Sequence, residues 1–218
     1  MNDSLPAKAS PIKWLVVGLV AVAMIVAGVL LVRQSAPSVK QMQQQLFPLG
    51  FFLFDSSRVL SPVPLTNLAG DTKPFDEHVG EWRLVNFGYM FCPDICPINL
   101  SLLNDVKKQW DAVPEVKPLN VIHVTFDPVR DTPDQLQAYL QYMNPDFYGL
   151  TGKVDDIRRF AQQLNTVFIH EKPDDQGHYF ITHSDSMALI NPNGEYIGMF
   201  KGPYNKDNML EALDLLIR

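Results

Sequence analysis

The chain has 218 residues, 46% of them hydrophobic, and a formal net charge of −6. That length holds one good core plus an appendage. Residues 1–40 carry four basic and one acidic side chain, leaving fourteen basic against twenty-three acidic in the other 178, a net of about −9 that excludes a nucleic-acid surface.

Residues 14–32 form an uncharged run of nineteen. At ~1.5 Å per residue such a helix nearly crosses a hydrocarbon core about 30 Å thick, so the run reads as a transmembrane helix. Lys8 and Lys13 precede it and Arg33 and Lys40 follow. The charge signal is therefore weak, and the free amino terminus tips it towards a cytoplasmic N-terminus. The layout expected is a cytoplasmic tail at 1–13, the span at 14–32, a linker at 33–45 and one domain at 46–218. A short tail, one span and a large domain make a signal anchor, and the leader is too short and too poor in Arg and Ser for a mitochondrial transit peptide, which favours a bacterial source.

The polar stretch 34–45 reads as a tether, and the aromatic patch 47–54 as a cap on the core. Residues 63–72 suggest a short strand and turn. Residues 84–89 are short, apolar and aromatic, a buried strand, and Asp94 is a candidate N-cap for a helix carrying Ser101, Leu102, Leu103, Val106 and Trp110. A second strand spans 119–126. Thr132, Pro133 and Gln135 make a capping box for a helix towards Met143. Residues 147–150 read as a strand, Thr151 as the cap of a helix through Val154, Ile157, Phe160, Ala161 and Leu164, and 167–170 as a short strand. Residues 173–184 read as an excursion loop, 187–200 as a hairpin turning at Asn191–Gly194, and Asn205 as the cap of a last helix. This order is that of a thioredoxin-like α/β sandwich. In it, the end of the first long strand and the loop before the hairpin approach each other.

Cys92 and Cys96 are the only cysteines, and they lie at the strand-to-helix junction. Two thiols four positions apart there either close a disulfide or point both sulfurs at one soft ion, and spacing does not separate these. Three intervening residues differ from the Cys-x2-Cys of thioredoxin-like oxidoreductases, and no second pair completes a four-sulfur zinc site. His123 reads as a packed strand residue, His78 and His170 as solvated, and Met187 and Met199 as core rather than thioether ligands. His178 and His183 share one loop.

Three segments carry a resemblance: Phe87-Gly88-Tyr89 with Cys92-Pro93-Asp94-Ile95-Cys96-Pro97, then Asp127-Pro128-Val129-Arg130-Asp131-Thr132-Pro133, then Thr182-His183-Ser184 before Leu189-Ile190-Asn191-Pro192-Asn193-Gly194. Over about residues 60–218 the chain resembles the Sco proteins, also called SenC or PrrC, membrane-anchored thioredoxin-fold proteins that assemble copper sites of cytochrome c oxidase. The resemblance implies copper, as Cu(I) or Cu(II), held by Cys92, Cys96 and His183, with Asp127 near the site and Arg130 and Asp131 supporting the loop. It implies as partners the oxidase subunit carrying the copper-A site and another periplasmic copper chaperone, and a single-pass place in the bacterial inner membrane with the domain in the periplasm. Two thiolates and one imidazole suit soft copper, whereas zinc usually asks for a fourth ligand. Thr182 stands where relatives often have Asp, which weakens any carboxylate support for His183. The competing expectation is a thiol–disulfide oxidoreductase in which Cys92 and Cys96 are a redox-active pair that reduces the oxidase's copper-ligand cysteines. A peroxidase is disfavoured because no resolving cysteine lies elsewhere.

Overall fold

The computed structural model describes residues 11–35, 37–75 and 79–218. They divide after Met42 into two units. In the first, helix α1 (Pro11–Ser35) contains the window Ile12–Val29, whose mean hydropathy of 2.4 and lack of burial make it a candidate membrane span. Of the tail expected at 1–13, residues 1–10 lie outside the described residues. Of the linker expected at 33–45, Arg33–Ser35 continue α1, residue 36 is not described, and helix α2 (Val39–Leu46) takes the rest from Val39.

The second unit is built on a sheet of eight strands. β1 (Phe51–Val59), β2 (Pro64–Asn67) and β3 (Thr72–Pro74) precede β4 (Trp82–Gly88), which leads into α3 (Ile95–Asp111). Then come β5 (Leu119–Thr125), α4 (Pro133–Met143), β6 (Tyr148–Thr151) and α5 (Val154–Gln163). A small hairpin of β7 (Phe168–His170) and β8 (Ile181–His183) stands apart from the main sheet, and β9 (Ser186–Ile190), β10 (Glu195–Lys201) and α6 (Lys206–Ile217) finish the chain. The strand order is β1-β10-β9-β4-β5-β6-β2-β3, with β4, β5 and β6 parallel and β9 antiparallel to β4. This is the thioredoxin-like arrangement read from the sequence.

Alternation along the strands sorts the two faces. Val85, Phe87 and Tyr89 of β4 and its loop pack with Ile122, Val124 and Phe126 against Ile157, Phe160 and Ala161 of α5. The opposite positions, Asn86 and Gly88 on β4 and His123 and Thr125 on β5, turn towards α3. That face is where polar side chains gather, and it lies below the cysteines.

The capping box forms as expected, with Thr132 and Gln135 exchanging hydrogen bonds at the start of α4, and Asn205 accepts from the Asn208 amide at 3.0 Å. Two other caps differ. Asp94 precedes α3 but accepts no hydrogen bond from it, and α5 is preceded by Lys153 while Thr151 ends β6. The patch at 47–54 divides: Phe47 sits in a short 3-10 turn with its ring exposed, whereas Phe51 is fully buried where β1 pairs with β10. The excursion expected at 173–184 is shorter, because 181–183 form β8 opposite β7. His183 therefore stands at the end of a strand, paired with Phe168.

Among the described glycines, Gly198 of β10 has the least room for a side chain. A Cβ there would lie 2.3 Å from the Phe52 carbonyl oxygen and 2.8 Å from the Phe51 ring. Gly198→Ala is expected to destabilise the domain by about 3 kcal/mol through overpacking, seen as a lower urea midpoint in the tryptophan fluorescence of the detergent-solubilised chain.

Candidate metal centre

β4 ends at Gly88, and the chain turns through 89–94 before α3 begins. Cys92 N donates to the Tyr89 carbonyl at 3.2 Å, and Cys96 N points at Cys92 Sγ at 3.5 Å, so both thiols are folded over the first turn of α3. Both are free; Cys92 is partly exposed and Cys96 is buried. Burial first, and then the hydrogen bond with Cys92, push the Cys96 thiol well above its ordinary value. Cys96 is therefore a neutral thiol near pH 7, and an ion that uses its sulfur must displace a proton.

The histidine arrives from far along the chain. His183 Nε2 lies 3.9 Å from Cys96 Sγ, across 87 residues of sequence. Its other nitrogen, Nδ1, is 2.9 Å from the Ser184 carbonyl oxygen. A carbonyl only accepts, so the ring proton resides on Nδ1 and the Nε2 lone pair is free to face the sulfur. The ring also packs on Phe126, with centroids 4.9 Å apart. With Thr182 in place of a carboxylate, the support of the His183 ring comes from a main-chain carbonyl, and Thr182 is hydrogen-bonded to Glu171. Among the described residues no three His, Cys, Asp or Glu side chains close on one point as a finished metal cage.

The turn after β5 holds the two approaching segments. Asp131, fully buried, accepts from the Met90 backbone amide at 3.1 Å and from the Thr125 hydroxyl, which fixes the loop that carries Cys92. Asp127, also fully buried, accepts from Arg130 and, at 2.7 Å, from the Tyr179 hydroxyl. Arg130 donates to the Tyr179 carbonyl at 3.2 Å and lies over the Tyr179 ring at 3.8 Å and the Phe91 ring at 4.8 Å. Tyr89 closes the link by accepting from the Ile181 amide at 3.3 Å. On the other side Asp185 takes hydrogen bonds from Asn99 of α3 at 3.0 Å and from the Tyr204 hydroxyl at 2.9 Å.

The structure thus brings Cys92, Cys96 and His183 to one end of the sheet, with Asp127 directly after the Phe126 whose ring packs on His183. It does not bring His178, which is exposed and paired with Asp174 at 3.3 Å. Met187 is buried in β9 and Met199 packs on the core. His170, read as solvated, is instead half-buried, edge-on to Phe168 and tilted against Tyr179, and His78 lies outside the described residues. Sequence reasoning did not single out Asn99, Tyr179, Asp185 or Tyr204. Asn99 alone had a signal, being one turn after Cys96 on the same helix; the others are common residue types at irregular positions.

His123 is fully buried, and that burial pulls its imidazole down to about 4. The unfolded histidine takes a proton near pH 6.5 that the folded one refuses, so stability falls as pH drops from about 6.5 towards 4 and levels below that. The loss is expected to reach about 3 kcal/mol, and His123→Phe should lack it. Urea titrations of both proteins across that range check this.

A family model described as SCO1/SenC matches residues 55–218. The chain is 30% identical over 139 residues to the human mitochondrial SCO1 homolog, covering 64% of this chain and 46% of that protein. It is 34% identical over 152 residues to the Arabidopsis thaliana mitochondrial SCO1 homolog 2, covering 69% of this chain and 54% of that one. The chain therefore spans about half the length of these curated relatives. Among solved structures, yeast Sco1 with copper bound superposes with a TM-score of 0.66 at 25% identity, covering 72% of this chain and 87% of that one. Bradyrhizobium japonicum ScoI with copper bound gives 0.61 at 26%, covering 72% and 98%. With its fold, its paired cysteines and its histidine in the places described, the chain belongs to the SCO1/SenC family.

Proposed function

We propose that this chain is a membrane-anchored protein that binds copper through Cys92, Cys96 and His183 and delivers it to, or assists assembly of, the copper-A centre of cytochrome c oxidase. The observation that carries the reading is the approach of His183 Nε2 to Cys96 Sγ at 3.9 Å, with the ring tautomer already set for a ligand. First-row metal bonds of about 2.3 Å to sulfur and 2.0 Å to nitrogen, spread at roughly 120°, place the two donor atoms about 3.7 Å apart. The separation fits two donors on one ion, and Cys92 on the preceding turn supplies the third. A soft donor set of this kind suits Cu(I) and also takes Cu(II). Three ligands leave a side open for a partner's sulfur during transfer.

The rest of the reading follows from the same arrangement. Both cysteines must lose protons to hold the ion, so copper affinity rises with pH. Another periplasmic copper chaperone supplies the metal, and the oxidase subunit with the copper-A site receives it. Helix α1 is the anchor in the bacterial inner membrane, with the tail in the cytoplasm and residues 46–218 in the periplasm, joined by the segment at 33–45.

A second reading has its own support. Cys92 is the more accessible thiol and Cys96 the buried one with a raised pKa, the asymmetry of an attacking and a resolving pair on a thioredoxin-like fold. In that reading Cys92 attacks a partner's disulfide and releases one partner thiol, Cys96 gives up its proton and attacks the Cys92 sulfur of the mixed disulfide to release the other, and the two electrons pass to the partner while Cys92 and Cys96 remain as a disulfide. Copper and disulfide use the same sulfurs and exclude each other.

The full-length chain in detergent is expected to bind about one copper and to show sulfur-to-copper absorption. Cys92→Ser, Cys96→Ser and His183→Ala should each abolish it. Undiminished absorption in His183→Ala would overturn the ligand assignment. In cells, oxidase assembly is expected to fail with His183→Ala as with Cys92→Ser. Assembly that survives the first and fails with the second points to thiol reduction.

A further inference from the structure

The face of β5 below the cysteines buries a polar group that copper binding as described above does not use. His123 is in register with Asn86 on β4, and its Nδ1 lies 3.1 Å from Asn86 Nδ2. An amide nitrogen donates, so Nδ1 accepts, and the single proton of the neutral ring resides on Nε2. That N–H is sealed from solvent and has no hydrogen-bond partner among the described residues. Such a donor is costly to leave unmade and rare in a folded interior.

Gly88 shows what the ring faces. A Cβ built at 88 would lie 3.0 Å from His123 Cε1, the carbon between the two ring nitrogens, and 3.1 Å from Cys96 Sγ. The imidazole edge and the cysteine sulfur therefore border the same space, which only a glycine leaves open. The Tyr89 backbone also hydrogen-bonds that sulfur, and His183 presents it with a lone pair rather than a proton.

We propose that His123 is a positioning residue for Cys96, whose sulfur accepts a hydrogen bond from His123 Nε2–H once it carries charge as a thiolate or metal ligand, in the space kept by Gly88. A neutral thiol is a weak acceptor, which leaves the donor idle in the metal-free protein; a thiolate is a strong one. No proton is transferred. The histidine holds and orients the sulfur and withdraws charge from it, the way outer partners tune a metal–thiolate bond. The copper-bound case rests on the copper reading, but the contact itself needs only a charged sulfur.

The test is nuclear magnetic resonance of the full-length chain in detergent, labelled with 15N-histidine, before and after Cu(I) and, in parallel, Hg(II), which binds paired thiolates. The metal-free spectrum is expected to show His123 neutral and protonated on Nε2, and either metal should move that proton downfield. Gly88→Ala, whose methyl wedges between ring and sulfur, should bind metal without the movement. His123→Phe should bind copper about tenfold or more weakly, with sulfur-to-Cu(II) absorption at longer wavelength. A proton on Nδ1, or an Nε2–H unmoved by bound metal, overturns the proposal. Should Cu(I) fail to bind the parent while Hg(II) still moves the proton, the copper reading falls and the contact stands.

Discussion

Two buried carboxylates in the turn after β5 hold the functional end of this molecule together. Asp131 reaches back to the Met90 amide in the cysteine loop, and Asp127 reaches forward to the Tyr179 hydroxyl ahead of the β7–β8 hairpin's second strand. Arg130 lies between them and offsets their charge, stacked on Tyr179 and Phe91. Carboxylates taken out of water need such partners, since an unpaired buried charge costs several kcal/mol. The network exists only when both loops are seated, so seating one favours seating the other. Burial, which pushes Asp131 above its ordinary range, sets the direction of its shift despite its two donors.

That constraint explains how a loosely spaced donor set becomes a candidate centre. Cys92, in the turn before α3, and Cys96, in the first turn of α3, are local neighbours, but the histidine has to be delivered across the sheet end. The Tyr89–Ile181 hydrogen bond and the Asn99–Asp185–Tyr204 cluster flank His183 on both sides. Between them its ring has little freedom, and the Ser184 carbonyl settles its proton. The site is thus pre-organised on the histidine side and adaptable on the sulfur side, where Cys92 is partly exposed.

The cysteine environment also separates the two uses of the sulfurs. Burial first, and then the neighbouring Cys92, oppose charge on Cys96, so in the reduced protein that thiol stays protonated. A soft cation supplies the missing positive charge; oxidation to a disulfide removes the charge altogether. Both outcomes relieve the same desolvation, so the burial of Cys96 is compatible with either chemistry.

The sequence by itself determined the local elements and the identity of the donors. The strand at β4, the capping box of Thr132 and Gln135, the Asn205 cap, the apolar run in α1 and the spacing of Cys92 and Cys96 are written in periods and turn residues that act over a few positions. It was weaker where a short polar stretch folded on a distant partner: β8 read as loop because its pairing to β7 comes from across the intervening turn, and Asp94 and Thr151 read as caps although neither makes the bond. Only the tertiary structure decided how closely His183 meets the sulfur, which ring nitrogen faces it, and that Tyr179 and Asp185 clamp the approach. Those outcomes depend on contacts between residues 52 to 87 apart and on one backbone carbonyl. Hydrogen bonds to main-chain groups leave no mark in residue type, and chain-distant neighbours are fixed by the packing of the whole sheet.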